Sequence, residues 1–118
     1  MMQAPHIKTA IPKRRYEIDT FSVVVLGDIE SHDAAQYKYI MALVENNDSE
    51  PLMYITAELN PPNQREHGRY AGRVIFGHEV RELGSDDFLG DLEQFSDYAL
   101  GLASRLLQLG NEEPVRLM

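Results

Sequence analysis

The stretch SDDFLGDLEQFSDYALGLASRLLQL, residues 85–109, is the longest periodic segment of the chain. Its apolar residues recur every three or four positions, which places them in one stripe of an α-helix. They are Phe88, Leu92, Phe95, Ala99, Leu102, Leu106 and Leu109. Ser85 can cap the first turn, Asp86 and Asp87 suit the positive end of the helix dipole, and Gly110 follows the last leucine. The sequence therefore predicts one helix over 85–109, whose apolar stripe the rest of the chain must cover.

Four segments before this helix have the composition of β-strands, and they are residues 16–27, 37–45, 52–59 and 69–83. In the first strand the apolar side changes near Asp19 and Thr20, which predicts a bulge. In the last strand, apolar and charged residues alternate, which is typical of a strand with one face in water. Gly72 and Gly77 predict a bend within it.

The segment 37–45 has two interpretations. Its apolar residues also fit one face of a helix that Ser31 or Asp33 could cap. We favour a strand, because the polar stretch 46–49 leads directly into the next strand, as in a hairpin. The expected fold is α+β, a four-stranded antiparallel meander sheet with one long C-terminal helix packed on one face. The alternative is a β-α-β-β-α order with a helix over 33–45.

Length and local composition predict a single domain. Residues 1–13 contain Pro5 and Pro12 without apolar periodicity, so we expect a flexible N-terminal arm. The α+β domain is expected over 14–110, and a short polar tail over 111–118. No apolar run reaches the length of about 18 residues that a membrane span needs, and no signal-peptide pattern is visible. We therefore expect no membrane association and a cytoplasmic location.

Composition and charge restrict the classes of partner and chemistry. Apolar residues make up 43% of the chain and charged residues 25%, which is ordinary for a globular protein. The net charge is −8, and four basic residues among the first fifteen leave −12 on residues 16–118. Such an acidic surface repels phosphate backbones, so we do not expect nucleic acid as the main partner. The absence of cysteine excludes disulfides, thiolate catalysis and zinc–sulfur sites.

The polar stretch 28–33 is the strongest candidate for a metal site. Its carboxylates and imidazole could coordinate a divalent ion through Asp28, Glu30, His32 and Asp33. It lacks the glycine at the sixth position and the glutamate at the twelfth that a calcium-binding loop requires. We therefore interpret it as an acidic surface turn, and we expect no metal and no cofactor.

No motif of a catalytic site is present. The chain has no Gly-x-Ser-x-Gly elbow and no glycine-rich phosphate loop. His78 is expected on the same strand face as Phe76 and Val80, where a hydrogen-bonded structural histidine is more common than a catalytic one. The sequence therefore favours a protein that is not an enzyme.

Apolar residues on both faces of the predicted sheet exceed what a single helix can cover. Val24 and Leu26 are examples, and four tyrosines on adjacent strands, Tyr37, Tyr39, Tyr54 and Tyr70, form a candidate interaction surface. Our first hypothesis is accordingly a small protein-interaction module that forms a homodimer or binds another protein.

Two other hypotheses remain open at this stage. A small sheet with exposed aromatic residues could bind single-stranded nucleic acid, with a basic contribution from Lys13, Arg14, Arg15, Lys38, Arg69 and Arg73. A small-molecule or metal-dependent site could alternatively form near His78 and the 28–33 stretch. Neither rests on a specific motif.

Overall fold

The computed structural model describes residues 4–118, which form one antiparallel sheet and one α-helix. The strands are β1 (Ile7–Ile18), β2 (Phe21–Ser31), β3 (Tyr37–Glu45), β4 (Met53–Leu59), β5 (Tyr70–Phe76), β6 (Glu79–Ser85) and β7 (Val115–Arg116). The helix is α1 (Leu92–Leu106), and short 3₁₀ turns span Pro62–Gln64 and Asp87–Gly90. The order across the sheet is β6-β5-β4-β3-β2-β1-β7. Strands β1 to β6 are therefore a meander, and β7 returns to the outer edge of β1.

The predicted four-stranded sheet is wrong, because two of the predicted strands are hairpins. Within 16–27, the chain turns at Asp19 and Thr20, and Ile18 pairs with Phe21. Asp19 has a φ of 52°, a left-handed conformation that aspartate tolerates better than most residues. The change of apolar side at this point is thus a two-residue turn rather than a bulge.

The second hairpin lies within 69–83. Phe76 pairs with Glu79 across a turn formed by Gly77 and His78, and Gly77 has a φ of 62°. A positive φ at the first position of a two-residue hairpin turn favours glycine. His78 is therefore exposed in a turn, and not on the strand face that the sequence predicted.

The strand interpretation of 37–45 is confirmed, since β3 covers these residues and pairs with both β2 and β4. The alternative with a helix over 33–45 is wrong. The antiparallel pairing and the single helix packed on the sheet agree with the prediction, but the sheet has seven strands and β7 departs from the meander order.

Both terminal segments contribute to the sheet. β1 begins at Ile7, inside the segment expected to be a flexible arm, and β7 lies within the expected tail. Residues 1–3 of the arm lie outside the described residues. β7 pairs only with Tyr16 and Glu17. Pro12 is compatible with β1 because this part of the strand has a ladder partner on the β2 side alone.

The helix is shorter than predicted because two aspartates cap two separate elements. Ser85 ends β6, and the Asp86 side chain accepts a hydrogen bond from the Phe88 amide at the 3₁₀ turn. Asp91 Oδ2 accepts the Gln94 amide at 2.9 Å and caps α1.

The core lies between the sheet and α1. Phe95 is 0% exposed, and its ring stacks on that of Tyr39 with centroids 5.5 Å apart. The sheet contributes the helix-facing side chains of five strands, Tyr16, Ile18, Phe21, Val23, Val25, Met41, Leu43, Met53, Ile55, Ala57 and Val74. The buried apolar residues of α1 and of the second 3₁₀ turn all belong to this core, so the helical layer covers one face of the sheet.

Candidate interaction surface

The face of the sheet opposite α1, which we call the open face, carries two rows of mostly apolar side chains. The strand registers place cross-strand neighbours side by side on this face. The first row is Pro12, Leu26, Ile40, Thr56, Arg73 and Glu82. The second row is Arg15, Val24, Ala42, Tyr54, Ile75 and Val80. The middle of both rows is uncharged.

The centre of the open face is packed tightly although no helix of residues 4–118 lies on it. Ile40, Ala42, Thr56 and Ile75 are buried, but none of them belongs to the core cluster under α1. The first 3₁₀ turn lies at one end of the face, where Pro62 and Gln64 line a cleft together with Arg73 and Glu82. Their neighbours Val24, Leu26, Tyr54 and Val80 are half-buried. These half-buried side chains are the apolar surface that a partner could reach.

β7 extends this apolar surface at the edge of the sheet. Val115 pairs with Glu17, whose neighbour in β2 is the open-face residue Ser22, so Val115 lies on the open face. Leu117 follows two residues later and donates its amide to the Arg15 carbonyl at 2.7 Å. Val115 is 60% exposed and Leu117 is 57% exposed. Exposed side chains of this size at one edge add to a docking surface.

Charged residues stand at the ends of the rows. Arg73 Nε lies 3.0 Å from Glu82 Oε1, and Arg73 Nη1 lies 3.5 Å from Glu58 Oε1. Arg15, at the opposite end of the second row, makes no ion pair within residues 4–118. Near β1 the face thus carries Arg15 and Glu17, neither of which forms an ion pair within residues 4–118, whereas near β5 the acidic Glu58 and Glu82 share one guanidinium.

A polar cluster lies beyond the first row. Tyr37 Oη donates a hydrogen bond of 2.8 Å to Asp33 Oδ2, which also accepts the backbone amide of His6 at 3.0 Å. The amide of His6, together with the Tyr37 hydroxyl, lowers the pKa of Asp33. Burial, and then the hydrogen bond to Asp33, raise the pKa of Tyr37. These contacts fix the turn between β2 and β3.

A cleft of about 740 Å³ opens beside Glu58. The Glu58 side chain is only 14% exposed, and burial raises the pKa of its carboxyl although Arg73 opposes this shift. Pro61 and Pro62 line the cleft and offer no backbone donor to Glu58. The carboxyl therefore depends on Arg73 for its counter-charge.

The four tyrosines predicted to form one surface lie on two faces. A bulge separates Tyr37, which pairs with Glu58, from Tyr39, which pairs with Ala57. Tyr37 and Tyr54 are consequently on the open face, whereas Tyr39 and Tyr70 pack against the core under α1.

The structure adds three residues to the open face that the sequence did not predict there, Val80, Val115 and Leu117. A turn at Gly77 and His78 would have predicted a separate strand after it, and Val80 of that strand lies on the open face.

The four candidate metal ligands do not converge. Residues 28–31 belong to β2 rather than to a loop, because a bulge with Asp28 at a φ of 48° lets the strand continue past Gly27. Asp28 Oδ2 is 2.6 Å from Lys13 Nζ, which lowers the pKa of Asp28. Glu30 and His32 are exposed, and Asp33 is bonded as described above. Within residues 4–118, no three histidine, aspartate or glutamate side chains are placed to hold a metal ion.

The basic residues considered for nucleic acid are partly engaged within the chain. Lys13 pairs with Asp28 and Arg73 with two glutamates, while Arg14 Nη1 donates to the Tyr16 hydroxyl at 3.5 Å. Lys38 Nζ lies 5.6 Å from the centre of the Tyr39 ring. The six residues therefore form no continuous basic stripe on the open face.

Comparison with known proteins adds no functional assignment. The chain matches no protein-family model, no curated protein and no solved structure. Within the described part of the chain, no helix has the length and apolar character needed to cross a membrane.

Proposed function

We propose that this protein is a non-enzymatic interaction module that forms a homodimer through its open face. The observation that carries the proposal is the pair of apolar rows, with Val24, Leu26, Tyr54 and Val80 half-buried on a face that no helix of residues 4–118 covers. Apolar surface that is contiguous across five strands is typical of a protein interface.

The size of the open face fits a small specific interface. Six strands about 4.8 Å apart and seven residues long at about 3.3 Å per residue give an area of about 550 Å². The smallest stable interfaces take about 600 Å² from each partner. Val115 and Leu117 widen the face beyond the six main strands. We therefore expect a dissociation constant in the micromolar range.

Charge limits the surface through which two copies can associate. The chain has a net charge of −8, so two copies repel each other over most of their surfaces. The middle of the open face carries no charged side chain, and two copies can meet there with the least repulsion. A two-fold contact also uses the same surface twice, and two-fold dimers are the commonest soluble oligomers.

The test is to place a charge on the open face and measure the dissociation constant by sedimentation equilibrium. We expect Val24→Lys and Val80→Lys each to weaken the dimer at least tenfold, because each buries two unpaired ammonium groups in the interface. Gln94→Lys is the matched control, since it adds the same charge at an exposed position of α1.

Two outcomes would contradict the proposal. One is a wild-type chain that remains monomeric at about 100 μM, far above the expected constant. The other is a dimer that Val80→Lys weakens no more than Gln94→Lys does. Circular dichroism would establish that each variant is folded. Val80 lies on the edge strand β6, so this variant remains informative if Val24→Lys fails to fold.

A further inference from the structure

The cleft beside Glu58 has the size of a small-molecule site. Its volume of about 740 Å³ lies within the range of about 300–1,000 Å³ that such sites occupy. Its lining residues come from the connection between β2 and β3, the end of β4, the loop after β4, and strands β5 and β6. Residues from distant parts of the sequence therefore meet around one concave surface.

The Glu58 carboxyl in this cleft is poorly supplied with hydrogen-bond donors. Its ion-pair partner, Arg73 Nη1, lies 3.5 Å from Glu58 Oε1, which is beyond the usual length of about 2.7–3.2 Å for an N–H···O hydrogen bond. Arg73 makes its shorter contact, of 3.0 Å, with Glu82 Oε1. A carboxylate that is 14% exposed and lacks good donors is costly to the fold. It can therefore accept a hydrogen bond from a positively charged group of a ligand.

Arg65 brings a positive charge to the same cleft. Its Nε donates a hydrogen bond of 2.9 Å to the Asn60 carbonyl, which fixes the half-buried side chain. Its guanidinium makes no ion pair within residues 4–118. The two terminal nitrogens can therefore bind a carboxylate with both donors, in the geometry that arginine favours.

The charges of the cleft cancel, and this balance restricts the class of ligand. Glu58 and Glu82 oppose Arg65 and Arg73. A simple ion of either sign would be repelled by one pair as it is attracted by the other, whereas a ligand with both signs can satisfy both. Glu58 and Arg65 form no ion pair with each other, so such a ligand has to reach from one to the other. We propose that the cleft binds a short peptide with free termini, whose ammonium group contacts Glu58 and whose carboxylate contacts Arg65.

The uncharged lining of the cleft suits the middle of such a peptide. Gln36 and Gln64 are exposed, and the amide of each offers both a donor and an acceptor to a peptide group. Pro61 and Pro62 add apolar surface and have no amide hydrogen of their own. The cleft thus supplies a partner for each chemical group of a short peptide.

An NMR titration of the isotopically labelled protein with diglycine and triglycine, at constant ionic strength, tests the proposal. We expect the tighter peptide to bind with a dissociation constant below about 10 mM, which is the affinity that ordinary ligand efficiency gives a molecule of this size. N-acetylated forms lack the ammonium group and amidated forms lack the carboxylate. Each blocked form should bind at least about fivefold more weakly than the free peptide. Constants above about 10 mM for both peptides, or equal binding of the blocked forms, would overturn the proposal.

Variants identify the end of the peptide that each charged residue binds. In Glu58→Gln, the free peptide should lose its advantage over the N-acetylated form, and in Arg65→Gln it should lose its advantage over the amidated form. A loss of affinity that is equal for free and blocked peptides would mean that the residue acts only on the structure of the cleft, which would overturn its assignment. Glu66→Gln and Arg69→Gln are the matched controls, because both residues are exposed near the cleft without lining it. They should leave the constants unchanged.

A second protein separates this proposal from the proposed homodimer. Arg73 and Glu82 belong both to the cleft and to the open face, so self-association would bring a partner close to the cleft. The titrations should therefore be repeated with Val80→Lys, in which self-association is weakened and the cleft lining is unchanged. We expect the same preference for free over blocked peptides. Its absence in both proteins would overturn peptide binding and leave the homodimer intact.

Discussion

Replacing Phe95 with alanine should remove the largest single contribution of α1 to the core. The Phe95 side chain is 0% exposed and stacks on Tyr39. Burial of about 150–200 Å² of aromatic surface at about 25 cal/mol/Å² corresponds to about 4–5 kcal/mol. Measured phenylalanine-to-alanine costs of about 3–5 kcal/mol agree with this range. For 118 residues, an unfolding entropy of about 250 cal/mol/K converts a 4 kcal/mol loss into a Tm decrease of about 16 °C.

Urea unfolding followed by circular dichroism, with every variant at one protein concentration, measures this loss. Leu102→Ala is the matched comparison, because Leu102 lies on the same helix but is only half-buried. We expect it to cost about half as much. If Phe95→Ala lowers the unfolding free energy by less than about 1 kcal/mol, the account of the core is refuted, because a full cavity beneath α1 would destabilise the fold by more than this.

Four further predictions concern single groups and binding. Thr56 is 1% exposed and its hydroxyl has no hydrogen-bond partner, so Thr56→Val should raise the unfolding free energy by about 1 kcal/mol in urea titrations. Burial raises the pKa of Glu58, so its ionisation destabilises the fold as pH rises; relative to wild type, Glu58→Gln should therefore gain stability in urea titrations as the pH rises above the usual glutamate pKa. Asp33 has a lowered pKa and contributes stability above its unfolded value, so Asp33→Asn should lose stability at neutral pH and approach wild type in acid. Labelled oligonucleotides should bind no tighter than about 10⁻⁶ M at physiological salt by fluorescence anisotropy, and tighter binding would reopen the nucleic-acid hypothesis.

The parts of the fold that sequence reasoning found were those with long, uninterrupted patterns. The apolar run of β3 and the polar stretch after it sufficed to predict a strand and a hairpin there. The number of strands was missed at Asp19-Thr20 and at Gly77-His78, where two residues reverse the chain. At Gly77-His78 the turn leaves almost no break in the alternation of apolar and polar residues, and at Asp19-Thr20 the change of apolar side is one that a bulge would also produce. A pattern that continues through the turn therefore looks like one strand.

The start of α1 shows how local hydrogen bonds override periodicity. Phe88 and Leu89 continue the apolar pattern of the helix, but they lie in a 3₁₀ turn. A side chain at Gly90 would place its Cβ 2.3 Å from the Tyr70 ring. Only glycine allows this approach, and Asp91 then caps a new helix. Neither the ring contact nor the choice among several aspartates can be inferred from the local sequence.

The candidate surface was predictable in part. An excess of apolar residues such as Val24 and Leu26 indicated that one helix could not cover both faces of the sheet. The assignment of tyrosines failed because the bulge in β3 reverses the faces of Tyr37 and Tyr39, which strict alternation would place together. The position of a bulge depends on the partner strand, and a single sequence does not specify it.

The most direct test of the central claim is the mass of the wild-type chain in solution. Light scattering coupled to gel filtration should be run over a concentration series that reaches about 100 μM in the eluted peak. The account predicts a mass that rises towards twice the 13.4 kDa of one chain. A mass that stays at 13.4 kDa over the whole series would contradict the use of the open face for self-association.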